Sequence, residues 1–236
     1  MSSIPSGVLT VLVTLWREMQ KLPLFINSVI SLIFLLLYQT SVFAQNSVTK
    51  ILILGDSLSA AHNITMDQSW PSLFRHNIGV RFPQTRVINA SISGETTFGG
   101  VSRLTNLLMQ HQPSHLIIEL GGNDGLQGLN FKQTTANLNR MLIMANADNI
   151  ATMMIGVRMP PNLGTAYNQR FQTIYESVAS QNTVYYLPKF LEGVAASDPT
   201  LMQSDGIHPT ALAQPILAKK VYIAFLEMHS IYSESQ

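Results

Sequence analysis

Five short apolar runs, spaced by longer segments with helical periodicity, constrain this chain more than any other feature. They are Lys50–Leu54 (KILIL), Arg86–Asn89 (RVIN), His115–Leu120 (HLIIEL), Ala151–Val157 (ATMMIGV) and Thr183–Leu187 (TVYYL). Continuous apolar runs of this length suit strands buried on both faces, as in a parallel sheet. The spacers carry stripes instead. In residues 131–147 the positions Phe131, Leu138, Met141, Leu142 and Ala145 share a face. Near the end Ile216, Leu217, Val221, Ala224, Phe225 and Met228 do the same, with Pro215 in the first helical turn. Strand–helix alternation predicts a doubly wound α/β fold, a parallel five-stranded sheet with helices on both faces. In such sheets ligands bind at the C-terminal ends of the strands.

The segment before the first strand reads differently. Residues 22–44 (LPLFINSVISLIFLLLYQTSVFA) follow Arg17 and Lys21, and Val42 and Ala44 stand at a candidate cleavage site. This three-part pattern is that of a secretory signal peptide spanning residues 1–44, with Met19 as an alternative start. The competing reading is an uncleaved anchor, because the apolar stretch Leu22–Tyr38 is near the lower limit for crossing a bilayer. Residues 45–236 then form a single domain; no repeat, low-complexity linker or charge block marks a second one.

Charge narrows the partners. The chain has 14 Lys+Arg against 13 Asp+Glu, a net charge of +1. Removing residues 1–44 takes away Arg17, Lys21 and Glu18 and leaves a formally neutral domain. Electrostatic capture of nucleic acid, which needs an excess of basic residues, is thereby disfavoured. The chain lacks cysteine, so disulfides, thiolate metal sites and a cysteine nucleophile do not arise.

Four blocks follow the strands. Gly55-Asp56-Ser57-Leu58-Ser59 comes after the first, and Asn89-Ala90-Ser91-Ile92-Ser93-Gly94-Glu95-Thr96 after the second. Gly121-Gly122-Asn123-Asp124-Gly125 follows the third, and Asp205-Gly206-Ile207-His208-Pro209 precedes the last helix. Each alone is an ordinary turn. A serine hydroxyl needs an adjacent base to become nucleophilic, and a histidine, titrating near ~6.5 when unperturbed, suits that task. A turn from Asp205 to His208 would bring the carboxylate to Nδ1 and fix the tautomer. No Gly-x-Ser-x-Gly surrounds Ser57, which argues against the nucleophile elbow of the α/β-hydrolases.

Together the blocks GDSLS, SGET, GGND and DGIHP resemble the signature blocks of the SGNH (GDSL) hydrolases. The longer stretches NASISGET, LGGNDGLQG, MPPNLGTAYNQRF and DGIHPTALAQP resemble the bacterial thioesterase I, lysophospholipase and arylesterase branch, over residues 50–226. The resemblance implies a flavodoxin-like SGNH scaffold with Ser57 as nucleophile, His208 as general base and Asp205 as its orienting partner. Gly94 and Asn123 would line the oxyanion hole with the Ser57 N–H, which the chain order places at the start of a helix.

Other residues receive plainer readings. Asp56 and Asp124 are expected to fix loops through nearby backbone, and Glu119, inside an apolar strand, to face a loop or a pairing partner. His111 and His115 stand four apart, but Pro113 breaks the helix a zinc pair would need, so both are expected at the surface. Met153, Met154 and Met159 are expected to line the core and a groove. Neither Gly-x-Gly-x-x-Gly nor a Gly-Lys-Ser/Thr loop is present, so neither cofactor nor metal is indicated.

The expected protein is an exported bacterial serine esterase, periplasmic or secreted and monomeric, without stable membrane insertion after cleavage. It would act on small-molecule acyl esters and thioesters, lipid esters included, through an acyl-enzyme. Acyl-coenzyme A is cytosolic, so lysophospholipids and aryl esters are the more accessible substrates outside. The alternatives are a carbohydrate acetylesterase of the same fold and a catalytically silent lipid- or carbohydrate-binding protein.

Overall fold

A parallel sheet requires that each strand be followed by a crossover, and the chain provides one after each of the first four. The computed structural model describes residues 48–194 and 198–234; the signal-peptide expectation for residues 1–44 lies outside them. The strands are β1 (Lys50–Gly55), β2 (Arg86–Asn89), β3 (His115–Glu119), β4 (Ala151–Ile155) and β5 (Tyr185–Leu187). All pair in parallel in the order β2-β1-β3-β4-β5. This is the flavodoxin-like order, whose ligand crevice opens where the order reverses, between β1 and β3. The helices are α1 (Trp70–Arg81), α2 (Thr97–His111), α3 (Gly122–Leu126), α4 (Phe131–Ala147), α5 (Thr165–Gln181) and α6 (Gln214–Glu234).

Strand side chains alternate between faces, and each face builds its own core. Ile51, Ile53, Ile117, Met153 and Ile155 face one way, packing with Trp70, Phe74 and Ile78 of α1 and with Leu217, Val221 and Phe225 of α6. Leu52, Leu54, Leu116, Ile118 and Met154 face the other, against Leu104 and Leu108 of α2, Leu138, Met141 and Leu142 of α4, and Phe171 and Val178 of α5. Burying each such side chain contributes roughly 1.5–3 kcal/mol, and the packing holds the strand ends in register.

Two expectations are corrected here. β2 and β5 are only partly buried, unlike the fully buried β3 and β4, because the edge strands of an open sheet are covered incompletely. Ile216 is 38% exposed; the buried stripe of α6 runs instead through Leu217, Ala218, Val221, Ala224, Phe225 and Met228, one residue round the helix from the expected start. Among the described residues no helix is long and apolar enough to cross a membrane.

Candidate active site

β1 ends at Gly55, where a side chain would not fit. A Cβ there would stand 2.7 Å from Ser59 Oγ and 2.9 Å from Ser91 Oγ, so glycine lets the next turn fold back against the strand. That turn carries Ser57. It does not open a helix, as the sequence suggested. The Ser59 and Ala60 N–H groups both bond Asp56 O, but Ala61 and Asn63 take left-handed backbone angles, φ +59° and +53°. A right-handed helix cannot propagate through such residues, so Ser57 sits at the head of an isolated turn.

Asp205 and His208 come from the loop before α6. Asp205 Oδ1 accepts the Ile207 N–H at 2.9 Å and the His208 N–H at 3.0 Å, while Oδ2 meets His208 Nδ1 at 2.7 Å. The loop is pinned by a bridge between Met202 and Pro209. Burial opposes the Asp205 charge, but these N–H groups and the imidazole outweigh it and hold the carboxyl down to about 2. The other ring nitrogen, His208 Nε2, lies 2.8 Å from Ser57 Oγ. The structure thus brings together three side chains that span 151 positions of sequence.

The groups that the resemblance assigns to an oxyanion hole belong to Ser57, Gly94 and Asn123, and of these Ser57 and Asn123 line one groove. The backbone N–H groups of Ser57 and Gly94 have no hydrogen-bond partner among the described residues. Gly94 takes φ +82°, a conformation unfavourable for residues with a Cβ. The Asn123 amide is held from two sides: Nδ2 donates to Asp56 Oδ2 at 3.1 Å and to Glu95 O at 2.9 Å. Glu95 is itself braced by Arg103, whose Nε donates to Glu95 Oε2 at 2.6 Å and whose guanidinium also bonds Ala90 O at 2.6 Å.

Asp56 accepts the Leu58 N–H at 3.0 Å, as a loop-fixing residue should. Asp124 does something larger than the local backbone role expected of it. Buried, it accepts the Thr97 N–H at 2.9 Å, Thr97 Oγ1 at 2.5 Å and Thr134 Oγ1 at 3.2 Å, which ties α3 to the starts of α2 and α4. Glu119 is fully buried and accepts Ser59 Oγ at 2.8 Å.

A groove of about 790 Å³ runs from Ser57 and Asn123 along Leu58, Val157, Met159 and Ile207. It is open, mostly apolar and of the size of ligand-binding clefts. Met159 lines it as expected, while Met153 and Met154 are core residues.

His115 corrects another expectation. It is buried, not superficial, and pairs with His229 of α6 at 3.2 Å rather than with His111. Sequence reasoning also missed His62, whose ring stacks on His208 with centroids 4.0 Å apart. His62, Asp205 and His208 offer ligand atoms within 4.8 Å of one another. Both His208 nitrogens already bond Ser57 and Asp205, however, so a cation bound there would displace those bonds. His62 carried no local signal, and neither did Arg103, eight residues beyond Glu95.

Comparisons with known proteins bear on the family and the fold. The GDSL-like Lipase/Acylhydrolase family pattern matches residues 53–214. The chain is 40% identical to Esterase TesA of Pseudomonas aeruginosa over 75% of this chain and 88% of that protein. It is 41% identical to an arylesterase of Vibrio mimicus over 81% and 96%. It is 42% identical to thioesterase 1/protease 1/lysophospholipase L1 of Escherichia coli over 75% and 83%. Among solved structures it resembles TesA with a TM-score of 0.74 at 39% identity, covering 76% of this chain and 99% of that one. It also resembles the psychrotrophic esterase EstA of Pseudoalteromonas, with a TM-score of 0.73 at 34% identity over 77% and 99%. With its sheet order, its blocks at the strand ends and these relatives in agreement, the chain belongs to the GDSL-like lipase/acylhydrolase family, the SGNH hydrolases, and is an ester hydrolase.

Proposed function

We propose that this esterase cleaves acyl esters and thioesters through a covalent acyl-enzyme, with Ser57, His208 and Asp205 as its triad. The observation that carries the proposal is the 2.8 Å approach of His208 Nε2 to Ser57 Oγ while Asp205 holds Nδ1 at 2.7 Å. His208 takes the hydroxyl proton as Ser57 Oγ attacks the acyl carbon, and Asp205 stabilises the imidazolium that forms. The Ser57 and Gly94 N–H groups, free of other partners among the described residues, receive the oxyanion. The Asn123 amide joins them by sharing one of its protons with the developing charge. Collapse of this intermediate expels the alcohol or thiol, which takes the proton from His208. A water molecule activated by the same base then releases the acid.

The apolar groove beside Ser57 favours an acyl chain over a charged substrate, in keeping with the near-neutral charge of the chain. The pattern of residues 1–44 supports export. Lysophospholipids and aryl esters, rather than cytosolic acyl thioesters, are then the substrates within reach, and the names of the relatives are consistent with each class.

The test is hydrolysis of nitrophenyl acyl esters by the wild type and Ser57→Ala, beside acetylated xylan as a competing substrate. We expect the wild type to hydrolyse the nitrophenyl esters and Ser57→Ala to be inactive. Equal rates in the two proteins would remove the serine mechanism, and faster release of acetate from xylan would move the assignment to carbohydrate deacetylation.

A further inference from the structure

Glu119 is a carboxyl group placed where a charge has little to stabilise it. It ends β3 in register with Gly55 of β1, directly beneath the turn that carries Ser57, and is fully buried. Its Oε2 accepts Ser59 Oγ at 2.8 Å and the Asp56 N–H at 3.4 Å. Its Oε1 has no partner among the described residues that would suit a carboxylate.

Among the described residues the surroundings supply no Lys or Arg partner. The turn after β1 contributes Asp56, another buried acid, and α3 contributes Asn123, which is neutral. Tyr175 of α5 gives its hydroxyl proton to Leu120 O at 2.9 Å, and Asp124 is committed to Thr97 and Thr134. His208, in the loop before α6, favours the Asp56 charge electrostatically. Burial first, and then the neighbouring Asp56 charge, push the Glu119 carboxyl well above its ordinary range. Burial pushes Asp56 up too, to about 6, with the Leu58 N–H, Glu119, His208 and Asn123 offsetting only part of the rise. Two carboxyls in such contact cannot both stay ionised, and the proton goes to the one with fewer donors. Asp56 receives Leu58 N–H on one oxygen and Asn123 Nδ2 on the other, whereas one Glu119 oxygen is bare.

We propose that Glu119 is a positioning residue that works as a neutral carboxylic acid. Its Oε1–H donates to the Asp56 carboxylate, and the single charge left on Asp56 holds the Asn123 amide and acts electrostatically on His208. The proton sits on the bare oxygen, while Oε2 keeps its two acceptor bonds, so the bonding capacity of the group is used without an unpaired buried charge. Because Asn123 and His208 are reached only through Asp56, a defect at Glu119 weakens the chemical step rather than substrate capture. The proposal rests on the serine-esterase reading for its kinetic consequences, though not for the protonation state itself.

The experiment compares Glu119→Gln and Glu119→Leu in the folded enzyme, with nitrophenyl butyrate as substrate. Glutamine mimics the protonated acid by setting a donor nitrogen beside an acceptor oxygen, although its NH2 carries one more N–H than the acid has O–H. We expect Glu119→Gln to keep kcat within about threefold of wild type, with the acidic limb of the pH profile unmoved. Glu119→Leu should lose between about 10-fold and about 100-fold in kcat at nearly constant KM, with that limb displaced. A Gln variant as damaged as the Leu variant would show that the ionised form is needed and overturn the proposal, as would a fully active Leu variant. Infrared difference spectra between wild type and Glu119→Gln near neutral pH give a readout independent of activity and of the Leu variant's folding. A protonated-carboxyl stretch present only in wild type is expected, and its absence overturns the proposal. If Ser57→Ala proved as active as wild type, the serine reading would fail while the infrared result still judged Glu119.

Discussion

The two ends of β3 make an instructive pair. The strand begins with His115 and ends with Glu119, both buried. Burial, together with the nearby His229, lowers His115 to about 4, and burial raises Glu119; each is driven towards its neutral form. Yet only one end carries the proposed chemistry. At the N-terminal end His115 is closed in by Ser114 Oγ at 2.9 Å, His229 at 3.2 Å and the Phe225 ring at 5.1 Å. At the C-terminal end the loops diverge, two N–H groups stand unpartnered among the described residues and a groove opens. A perturbed ionisation thus marks burial at both ends, and a site only where free donors and space accompany it.

The largest effect that would sharpen this contrast is at Ser57. Ser57→Ala should lower kcat by about 10⁴-fold or more while leaving the melting temperature near that of wild type. His115→Gln assayed beside it should keep its kcat. A catalytic loss of similar size from His115→Gln would erase the distinction between the two ends.

Between the ends lies Leu116, fully buried among α2, α4 and α5. Truncation to alanine should reduce the unfolding free energy by about 3 kcal/mol, read from urea titration. The folded variant should retain its kcat, since the lesion faces the core; lost activity in the folded state would mean that the centre of the strand controls the site.

Asn123→Ala comes next, with an expected kcat loss of about 100-fold, roughly 2.7 kcal/mol in the barrier. Steady-state kinetics would show it as a change in kcat rather than KM. An unchanged kcat would leave the two backbone N–H groups as the whole oxyanion hole.

The smallest expected effect belongs to the N-terminal end. His115 binds its proton more weakly when folded than its ordinary value near ~6.5, so the unfolded chain takes up the proton first. Stability from this residue is therefore complete above about pH 6.5 and is lost as pH falls towards about 4, with about 2 kcal/mol gone by about pH 5. Asp56 and Glu119, raised on folding, act with the opposite sign. For that reason the measurement is the difference in pH dependence between wild type and His115→Gln, by urea unfolding. Parallel curves would place the titration elsewhere.

Much of the fold was legible because it rests on short-range pattern. The strands β1 and β3, the stripe of α4 and the alternating arrangement follow from apolar spacing that each segment carries in itself. The four blocks were legible for a related reason: the turn from Asp205 to His208 closes over three residues, and its internal bonds need nothing from elsewhere. Ser57 was placed correctly in the chain but not in its local conformation, since two left-handed residues, Ala61 and Asn63, stop the helix and neither is glycine.

What sequence alone determined, then, is the order of strands and helices, the family and the residue types at the strand ends. Only the tertiary structure decided that His62 stacks on His208, that Arg103 braces the Glu95 loop, and that Asp124 joins three helices. The same holds for the two ends of β3, where His115 found His229 and Glu119 found Asp56. The physical reason is common to all of them. A side chain's ionisation and bonding depend on what packs against it, and for these residues the partners lie from 8 to 146 positions away in sequence, joined only when the sheet brings its strands into register.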